Sequence, residues 1–419
     1  MREHSLLPIK FCNFAKDLES NKHSMKDNLE ELLPVVDTAG NVIDAITRAH
    51  AHDGSKTLHP VVHLHVFDSK GRLYLQHRPA WKDIQPDKWD TAVGGHIDLG
   101  ESVQQALCRE AKEELDISGF EAKEELGHYV FESSKERELV YAFRCIYNQD
   151  IQPNDNELSG GRFWSAQEIA DSLGKGIFTP NFEKEYATLL LPAVQRTNLF
   201  IFDFDGTLGD TRSLILQTMM DTFDQLGINR PDTETCVSTI GLPLAQCFEV
   251  AAGLSKAESQ QCAEAYRDIF QRNKATYKLQ PFDGVMETLH AIHAAGKTMA
   301  IASSRQHASL TELVADLGIS DLFACVVGGD DVTLAKPHPE PVERILHSLN
   351  MLPCEAIVVG DAPYDILMGR NAGVKTCGVS YGNSTREALQ EAGADHVLDH
   401  FADLLSIKGL MDTENAPYL

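Results

Sequence analysis

Short apolar runs bounded by turn residues dominate the first part of the chain: LPVVD, HPVVHLHVFD, GRLYLQHR and ELVYAFRCIY all fall between residues 33 and 147. Their length and their Gly and Asp boundaries predict strands. Residues 102–115 follow a helical period instead and predict one strongly amphipathic helix, so residues 29–196 are expected to form an α+β domain. The stretch 181–195, NFEKEYATLLLPAVQ, predicts a helix that ends at Pro192. The very apolar LFIFDFD that follows predicts a buried parallel strand and places a domain boundary near residue 196.

Residues 212–280 carry only helix-period segments, among them RSLILQTMMDTFDQLG and KAESQQCAEAYRDIFQRN, and predict a helical insert. From residue 284 the two periods alternate: GVMETLHAIHAAG, TMAIAS, SLTELVADLG, CVVGG, PVERILHSL, AIVVGD, YDILMGRNAG and KTCGVS. Repeated βα units predict a parallel sheet with its sites at the carboxyl ends of the strands. The second domain is therefore α/β, with a core at 197–211 and 281–408 interrupted by the insert at 212–280. Residues 1–28 are a polar arm without sustained period, and 409–419 a short tail.

Composition narrows the partners. Lys plus Arg total 37 against 62 Asp plus Glu, a net charge of -25, which works against gripping duplex nucleic acid or an anionic membrane. No apolar run approaches the roughly 18 residues that a spanning helix needs. The 9 cysteines include no C-x-x-C pair, and the start MREHSLLPIKFCNF breaks its apolar residues with Pro8 and Lys10. Reduced thiols, no secretion signal and a cytoplasmic protein are expected.

The segment GHIDLGESVQQALCREAKEELDI, residues 95–117, places Gly95, Glu101, Arg109, Glu110, Glu113 and Glu114 in the spacing G-x5-E-x7-R-E-x2-E-E. On a helix Glu110, Glu113 and Glu114 fall at i, i+3 and i+4, within about one turn of each other. Clustered carboxylates repel unless a cation sits among them, and hard oxygen ligands select Mg2+ or Mn2+. A lone E-x-x-E-E is more often a solvated acidic face, but the added Gly, Glu and Arg at fixed offsets favour the metal site. The spacing resembles the box of the Nudix hydrolases, over about residues 34–195. That resemblance implies hydrolysis of organic or nucleoside diphosphates by water attack on phosphorus. It implies Glu110, Glu113 and Glu114 as metal ligands with the Gly95 carbonyl, Glu101 and Arg109 as the brace of the helix, and one glutamate, Glu113, as base. The family's aliphatic residue after Arg-Glu is here Ala111 and its late glycine Asp116; neither change removes a ligand.

A second set of donors overlaps the first. His52 and His59 lie seven apart, His96 follows Gly95, and Glu136 and Glu138 alternate onto one strand face. Together these groups resemble the metal site of isopentenyl-diphosphate isomerase, a relative built on the Nudix fold. That enzyme's cysteine two positions before the loop histidine is here Gly94. The likeness therefore implies an isomerase-like branch with hydrolase carboxylates, with Glu138 as an extra metal or base residue and His52, His59, His96 and Glu136 as further ligands.

LFIFDFDGTLGD puts Asp203 and Asp205 at the end of the buried strand, ahead of Gly206 and Thr207. A period of two sends both aspartates into the crevice, where one carboxylate can attack phosphorus while the other handles the leaving-group proton. Further strand ends supply Ser303, Lys336 in TLAKPHPEP, and Asp361 with Asp365 in VVGDAPYD. In this order the four elements resemble the haloacid dehalogenase (HAD) superfamily of phosphatases, over about residues 198–407. The likeness implies Asp203 as nucleophile, Asp205 as general acid/base with its carbonyl on Mg2+, and Asp361 and Asp365 at the metal with Asp203. Thr207, Ser303, Ser304, Arg305 and Lys336 would meet the phosphorylated substrate. The insert at 212–280 and GLPL at 241–244 resemble the small cap of the phosphoglycolate phosphatase and β-phosphoglucomutase branch. Motif II departs from the Thr-Asn-Lys of many relatives as Ser303-Ser304-Arg305.

Two metal-dependent phosphorus-cleaving domains imply consecutive steps on small phosphorylated metabolites: diphosphate to monophosphate, then release of phosphate. The alternatives are an independent hydrolytic or ligand-sensing first domain, or a phosphomutase in the second.

Overall fold

A computed structural model of the chain describes residues 29–82, 84–122 and 124–411. The arm expected at 1–28 and residues 412–419 of the expected tail lie outside the described residues. The chain divides into two compact units, residues 1–193 and 194–419.

The first unit opens with an antiparallel hairpin, β1 (Leu32–Val36) and β2 (Val42–Thr47), and a short helix α1 (Arg48–Ala51). Its mixed sheet is built from β3 (Leu58–Phe67), β4 (Leu73–His77), β5 (Trp89–Thr91) and β6 (Val93–His96), then, after helix α2 (Val103–Leu115), from β7 (Glu124–Glu132), β8 (Arg137–Ile146) and β9 (Gly161–Trp164). The strand order is β5-β4-β3-β8-β7, with β6 also on β3 and β9 on β4. β3 is buried along its whole length and runs parallel to β8, from Leu58 opposite Arg137 to Phe67 opposite Ile146. Its alternation divides two environments. Val62, Leu64 and Val66 share a core with Ala106, Leu107, Ala111 and Leu115 of α2. His59, His63 and His65 turn to the other face and are buried there.

Helix α2 starts at a capping box, with Ser102 accepting from the Gln105 amide, and ends at Asp116 in the left-handed conformation, φ 55°. That is the conformation a glycine adopts most readily; aspartate tolerates it, and its carboxylate pairs with Lys112. After α3 (Ala166–Ser172) come α4 (Pro180–Glu185), a π-turn at Tyr186–Leu190 and α5 (Leu191–Gln195). The helix expected to stop at Pro192 runs on through it. The Leu191 amide reaches back five residues to the Tyr186 carbonyl, and this widened turn accommodates a ring that would crowd a regular α-helix.

In the second unit a six-stranded parallel sheet is formed by β10 (Leu199–Phe202), β11 (Thr298–Ala302), β12 (Cys325–Val327), β13 (Ala356–Gly360), β14 (Lys375–Val379) and β15 (His396–Leu398), in the order β12-β11-β10-β13-β14-β15. The order reverses at β10, so the crevice beyond its carboxyl end is the natural ligand position of such a sheet. β10 is fully buried. Phe200 and Phe202 join one core cluster, and Leu199 and Ile201 join the cluster on the opposite face. Residues 212–274 carry four helices: α6 (Arg212–Leu226), α7 (Thr233–Ser238), α8 (Leu244–Ala252) and α9 (Lys256–Lys274). They extend the first cluster through Phe223, Phe248, Tyr266 and Phe270. Helices α10 (Val285–Ala294), α11 (His307–Asp316), α12 (Glu340–Ser348), α13 (Pro363–Asn371) and α14 (Arg386–Glu391) alternate with the later strands.

Cys145, Cys236, Cys247, Cys262, Cys325, Cys354 and Cys377 are free thiols, whereas Cys108 is disulfide-bonded, an exception to the reduced set expected. No helix of the described residues is long and apolar enough to cross a membrane.

Two candidate active sites

In the second unit, Asp203 sits one residue beyond β10, its amide bonded to the Val359 carbonyl at 2.9 Å. The buried Lys336 ammonium bridges Asp203 Oδ1 and Asp365 Oδ1, each at 2.6 Å. Asp203, Asp361 and Asp365 offer carboxylate oxygens within 4.8 Å of one another, all buried. Burial pushes the Asp203 carboxyl well above its ordinary range although Lys336 opposes it, and burial with the neighbouring Asp365 lifts Asp361 to about 7. Asp361 is held from above: the Asn383 amide and Nδ2 donate to its Oδ2 at 2.7 and 2.8 Å, and Thr207 donates to its Oδ1 at 3.2 Å. A Cβ on Gly206 would collide with both Asp361 and Asn383, so only glycine lets these groups close. Asn383 Oδ1 is buried with no partner among the described residues. Three buried carboxylates against one ammonium, beside an orphaned amide oxygen, form a hard-donor set that fits a divalent cation.

Asp205 faces a different partner. Arg305 forks onto it, Nε to Oδ2 at 3.0 Å and Nη2 to Oδ1 at 2.7 Å, and Thr211 donates to Oδ1 at 2.7 Å. The guanidinium carbon lies 4.7 Å from the ring centre of Phe270 in α9. Ser303 is buried and its hydroxyl accepts from the Arg305 amide at 3.2 Å. The Ser304 hydroxyl donates to the Gly241 carbonyl at 2.5 Å. That bond ties Ser304 to the GLPL loop.

In the first unit, Gly94 donates its amide to Glu114 Oε2 at 3.0 Å, and a Cβ on Gly95 would collide with the Glu110 carboxyl. Strand β6 and helix α2 therefore meet through two glycines and two glutamates. Burial and the neighbouring Glu110 push Glu114 well above its ordinary range, and burial raises Glu110 to about 7 despite Arg109. Arg109 braces the segment: Nε and Nη2 reach Glu101 at 3.0 and 2.8 Å, Nη2 also reaches the His96 carbonyl at 2.9 Å, and Nη1 reaches Glu110 at 2.7 Å. Glu113 departs from the expected triple. It is exposed, and its Oε2 lies 3.3 Å from the same Arg109 Nη1 that reaches Glu110, whereas Glu110 and Glu114 turn inward.

The histidines come together as the spacing suggested. His52, His59 and His96 bring ring nitrogens within 4.8 Å of one another. His52 Nδ1 lies 2.9 Å from Glu136 Oε2, and its Nε2 lies 3.1 Å from His96 Nε2. His59 Nε2 is buried with no partner among the described residues. Burial holds His59 below, and His96 well below, the ordinary imidazole range, so both rings are neutral donors near pH 7. Three imidazoles and a carboxylate around an orphaned nitrogen fit a divalent ion that accepts nitrogen ligands. Glu138 stands opposite His59 on β8 and is raised to about 8 by burial and the adjacent Glu136.

Comparison with known proteins assigns a family to each unit. Residues 200–379 match the family model for haloacid dehalogenase-like hydrolases, and residues 57–182 match that for the NUDIX domain. The pyrophosphatase PpaX of Anoxybacillus flavithermus is 33% identical over 213 residues, 51% of this chain and 97% of that protein. The chain belongs to the haloacid dehalogenase-like hydrolases. PpaX of Halalkalibacterium halodurans is 32% identical over 215 residues, 51% of this chain and 97% of its own length. The solved haloacid dehalogenase-like family protein SP0104 of Streptococcus pneumoniae is 25% identical, covering 50% of this chain and 97% of its own, with a TM-score of 0.45. The chain is thus a hydrolase of phosphate esters and anhydrides, with a NUDIX domain ahead of the HAD domain.

Several groups in the HAD site had no signal in the sequence. Asn383 and Tyr381, whose hydroxyl donates to the Thr207 carbonyl at 2.8 Å, lie in the turn after β14. No motif marks them, although a polar turn after a buried parallel strand is where a crevice-lining group belongs. Thr211 was equally silent. In the NUDIX unit, the buried pair His63 and Glu185, Nδ1 to Oε2 at 2.8 Å, was invisible because its partners lie far apart in the chain.

Proposed function

We propose that the chain is a bifunctional, Mg2+-dependent hydrolase. The NUDIX unit cleaves an organic or nucleoside diphosphate to a monophosphate, and the HAD unit removes phosphate from a small phosphorylated product through an aspartyl-phosphate. The observation that carries this reading is Lys336 bridging Asp203 and Asp365 beside Asp361, at the carboxyl end of β10. The name pyrophosphatase given to relatives of the HAD half supports a phosphoryl substrate there. Asp203, Asp361 and Asp365, with the Asp205 carbonyl, would hold one metal; Glu110, Glu114 and the Gly95 carbonyl would hold another; His52, His59, His96 and Glu136, with Glu138, would take a third. Bound divalent ions supply charge neutralisation at the phosphoryl oxygens.

In the HAD unit the Asp203 carboxylate attacks phosphorus and the bond from phosphorus to the leaving oxygen breaks. Asp205 gives that oxygen a proton, then takes one from the water that opens the aspartyl-phosphate. Lys336 opposes the effect of burial on the Asp203 carboxyl and offers positive charge to the transferred group, while Ser303 and Thr207 line its approach. In the NUDIX unit Arg109 fixes Glu110, and Glu113, exposed and 3.3 Å from the Arg109 guanidinium, is the carboxylate assigned to take the proton of the attacking water.

The test is release of phosphate and pyrophosphate from nucleotide sugars, nucleoside di- and triphosphates, isoprenoid diphosphates and phosphomonoesters. Wild type is compared with Asp203→Asn and Glu114→Gln. Each variant is expected to abolish one of two activities; a single variant that removes both would contradict two separate sites.

A further inference from the structure

Arg305 occupies an unusual position for a cation in the HAD site. Its side chain is 10% exposed and its only ion-pair partner among the described residues is Asp205, itself 13% exposed. The fork engages both carboxylate oxygens, Nη1 turns to the Ser309 hydroxyl at 3.3 Å, and Phe270 of the cap covers the guanidinium face. The head group is thus held on three sides, by core, α11 and cap. It sits two residues from Ser303 and shares its surroundings with Asp203, whose charge also favours the guanidinium.

This arrangement conflicts with a substrate that brings only one anionic group. The transferred phosphoryl is matched by Lys336, whereas Asp205 must leave the fork to meet the leaving oxygen. A guanidinium nine-tenths buried and stripped of its carboxylate is strongly unfavourable. The site resolves the conflict if the substrate replaces the carboxylate with an anion of its own. Planar, bidentate recognition of phosphate or carboxylate is what the guanidinium fork does best.

We propose that Arg305 is the specificity-determining residue of the HAD site, reading a second anionic group next to the scissile phosphoryl. The substrate class is then a phosphate anhydride, with inorganic pyrophosphate as its simplest member, or a phosphorylated acid whose carboxylate takes the same place. Phosphate esters of neutral alcohols leave the fork unmatched. The inference rests on the reading of Asp203 as nucleophile and Asp205 as acid.

Steady-state kinetics of the full chain with Mg2+ test it, using inorganic pyrophosphate, 2-phosphoglycolate and p-nitrophenyl phosphate. Wild type should favour at least one of the two anion-bearing substrates over p-nitrophenyl phosphate in kcat/KM. One charge-assisted contact corresponds to a preference of about 30-fold, and Arg305→Gln should reduce that ratio to about threefold or less, mostly through KM. Arg305→Lys, which keeps the charge and loses the fork, should recover part of the ratio and guards against a folding defect in the glutamine variant. Pyrophosphate as the favoured substrate places the second anion on the leaving phosphate; 2-phosphoglycolate places it on a carboxylate. A proportional loss on all three substrates in Arg305→Gln, with the ratio unchanged, would overturn the proposal and leave Arg305 a positioning residue for Asp205. Asp203→Asn is the separate control: if it still turns over p-nitrophenyl phosphate, the nucleophile reading itself fails.

Discussion

Glu185→Gln isolates the buried ion pair that ties α4 to the face of β3 opposite α2. In the native unit Glu185 is fully buried, accepts from His63 at 2.8 Å, and lies 3.4 Å from both His65 Nε2 and the Thr91 hydroxyl. Although burial alone would lower it, the Glu185 charge and hydrogen bond lift His63 from 6.5 to about 9. Glu185 is held well below the usual carboxylate range by the two histidines despite its burial, so it stays ionised throughout the window considered. A raised folded value means that the contribution of His63 is fully present below 6.5 and is lost as pH rises through about 9. Integrating between those values gives about 3 kcal/mol at pH 6, about 2 kcal/mol at pH 7.5 and almost nothing at pH 10. The destabilisation caused by Glu185→Gln should shrink in the same order. Urea unfolding followed by tryptophan fluorescence reads this directly, because Trp81, Trp89 and Trp164 are the protein's only tryptophans and all lie in the first unit. A penalty that is flat between pH 6 and pH 10, or grows with pH, would refute the charged pair.

Other perturbations address the two sites. Gly95→Ala drives a methyl into Glu110 and should destabilise the first unit by about 2 kcal/mol, with loss of diphosphate hydrolysis but not of phosphomonoester hydrolysis, measured by urea unfolding and by phosphate release. Asn383→Ala removes the Nδ2 contact to Asp361 and should lower kcat/KM for the HAD substrate about 10- to 30-fold, with a rise in the Mg2+ concentration for half-activation. His59→Gln should reduce the divalent metal retained after gel filtration by about one equivalent per chain, measured by elemental analysis, if the three imidazoles form one centre.

Asp203, Ser303 and Asp361 were legible because each stands directly after a strand that the apolar pattern locates, whereas Lys336 lies in the loop between β12 and α12. LFIF can only be a buried strand, and the aspartate directly after it enters the crevice. His52, His59, His96 and Glu136 were legible as a set through spacing and alternation, and the fold closes them into one cluster. Helical spacing alone treats i+3 and i+4 as equivalent, so it did not separate the exposed Glu113 from the buried Glu114. At about 100° per residue Glu114 falls about 40° from Glu110 on one side and Glu113 about 60° on the other, where Arg109 holds it. The fork from Arg305 to Asp205 spans 100 residues of sequence, and the Asn383 contact to Asp361 spans 22. Neither distance carries a periodic signal, since both contacts join loops at the ends of different strands. Ser304 reads as a phosphate contact in sequence because it neighbours Ser303, but consecutive residues after a strand point apart, and its hydroxyl reaches Gly241 instead.

We propose two separate phosphorus-cleaving sites that act in succession within one chain. Phosphorus NMR of the full-length Asp203→Asn variant with Mg2+ and the diphosphate substrate preferred by wild type tests this most directly. This variant is expected to consume the diphosphate and accumulate a phosphorylated product that wild type converts to inorganic phosphate. If the product never accumulates, or if wild type fails to dephosphorylate it when it is supplied alone, the two units do not act in succession.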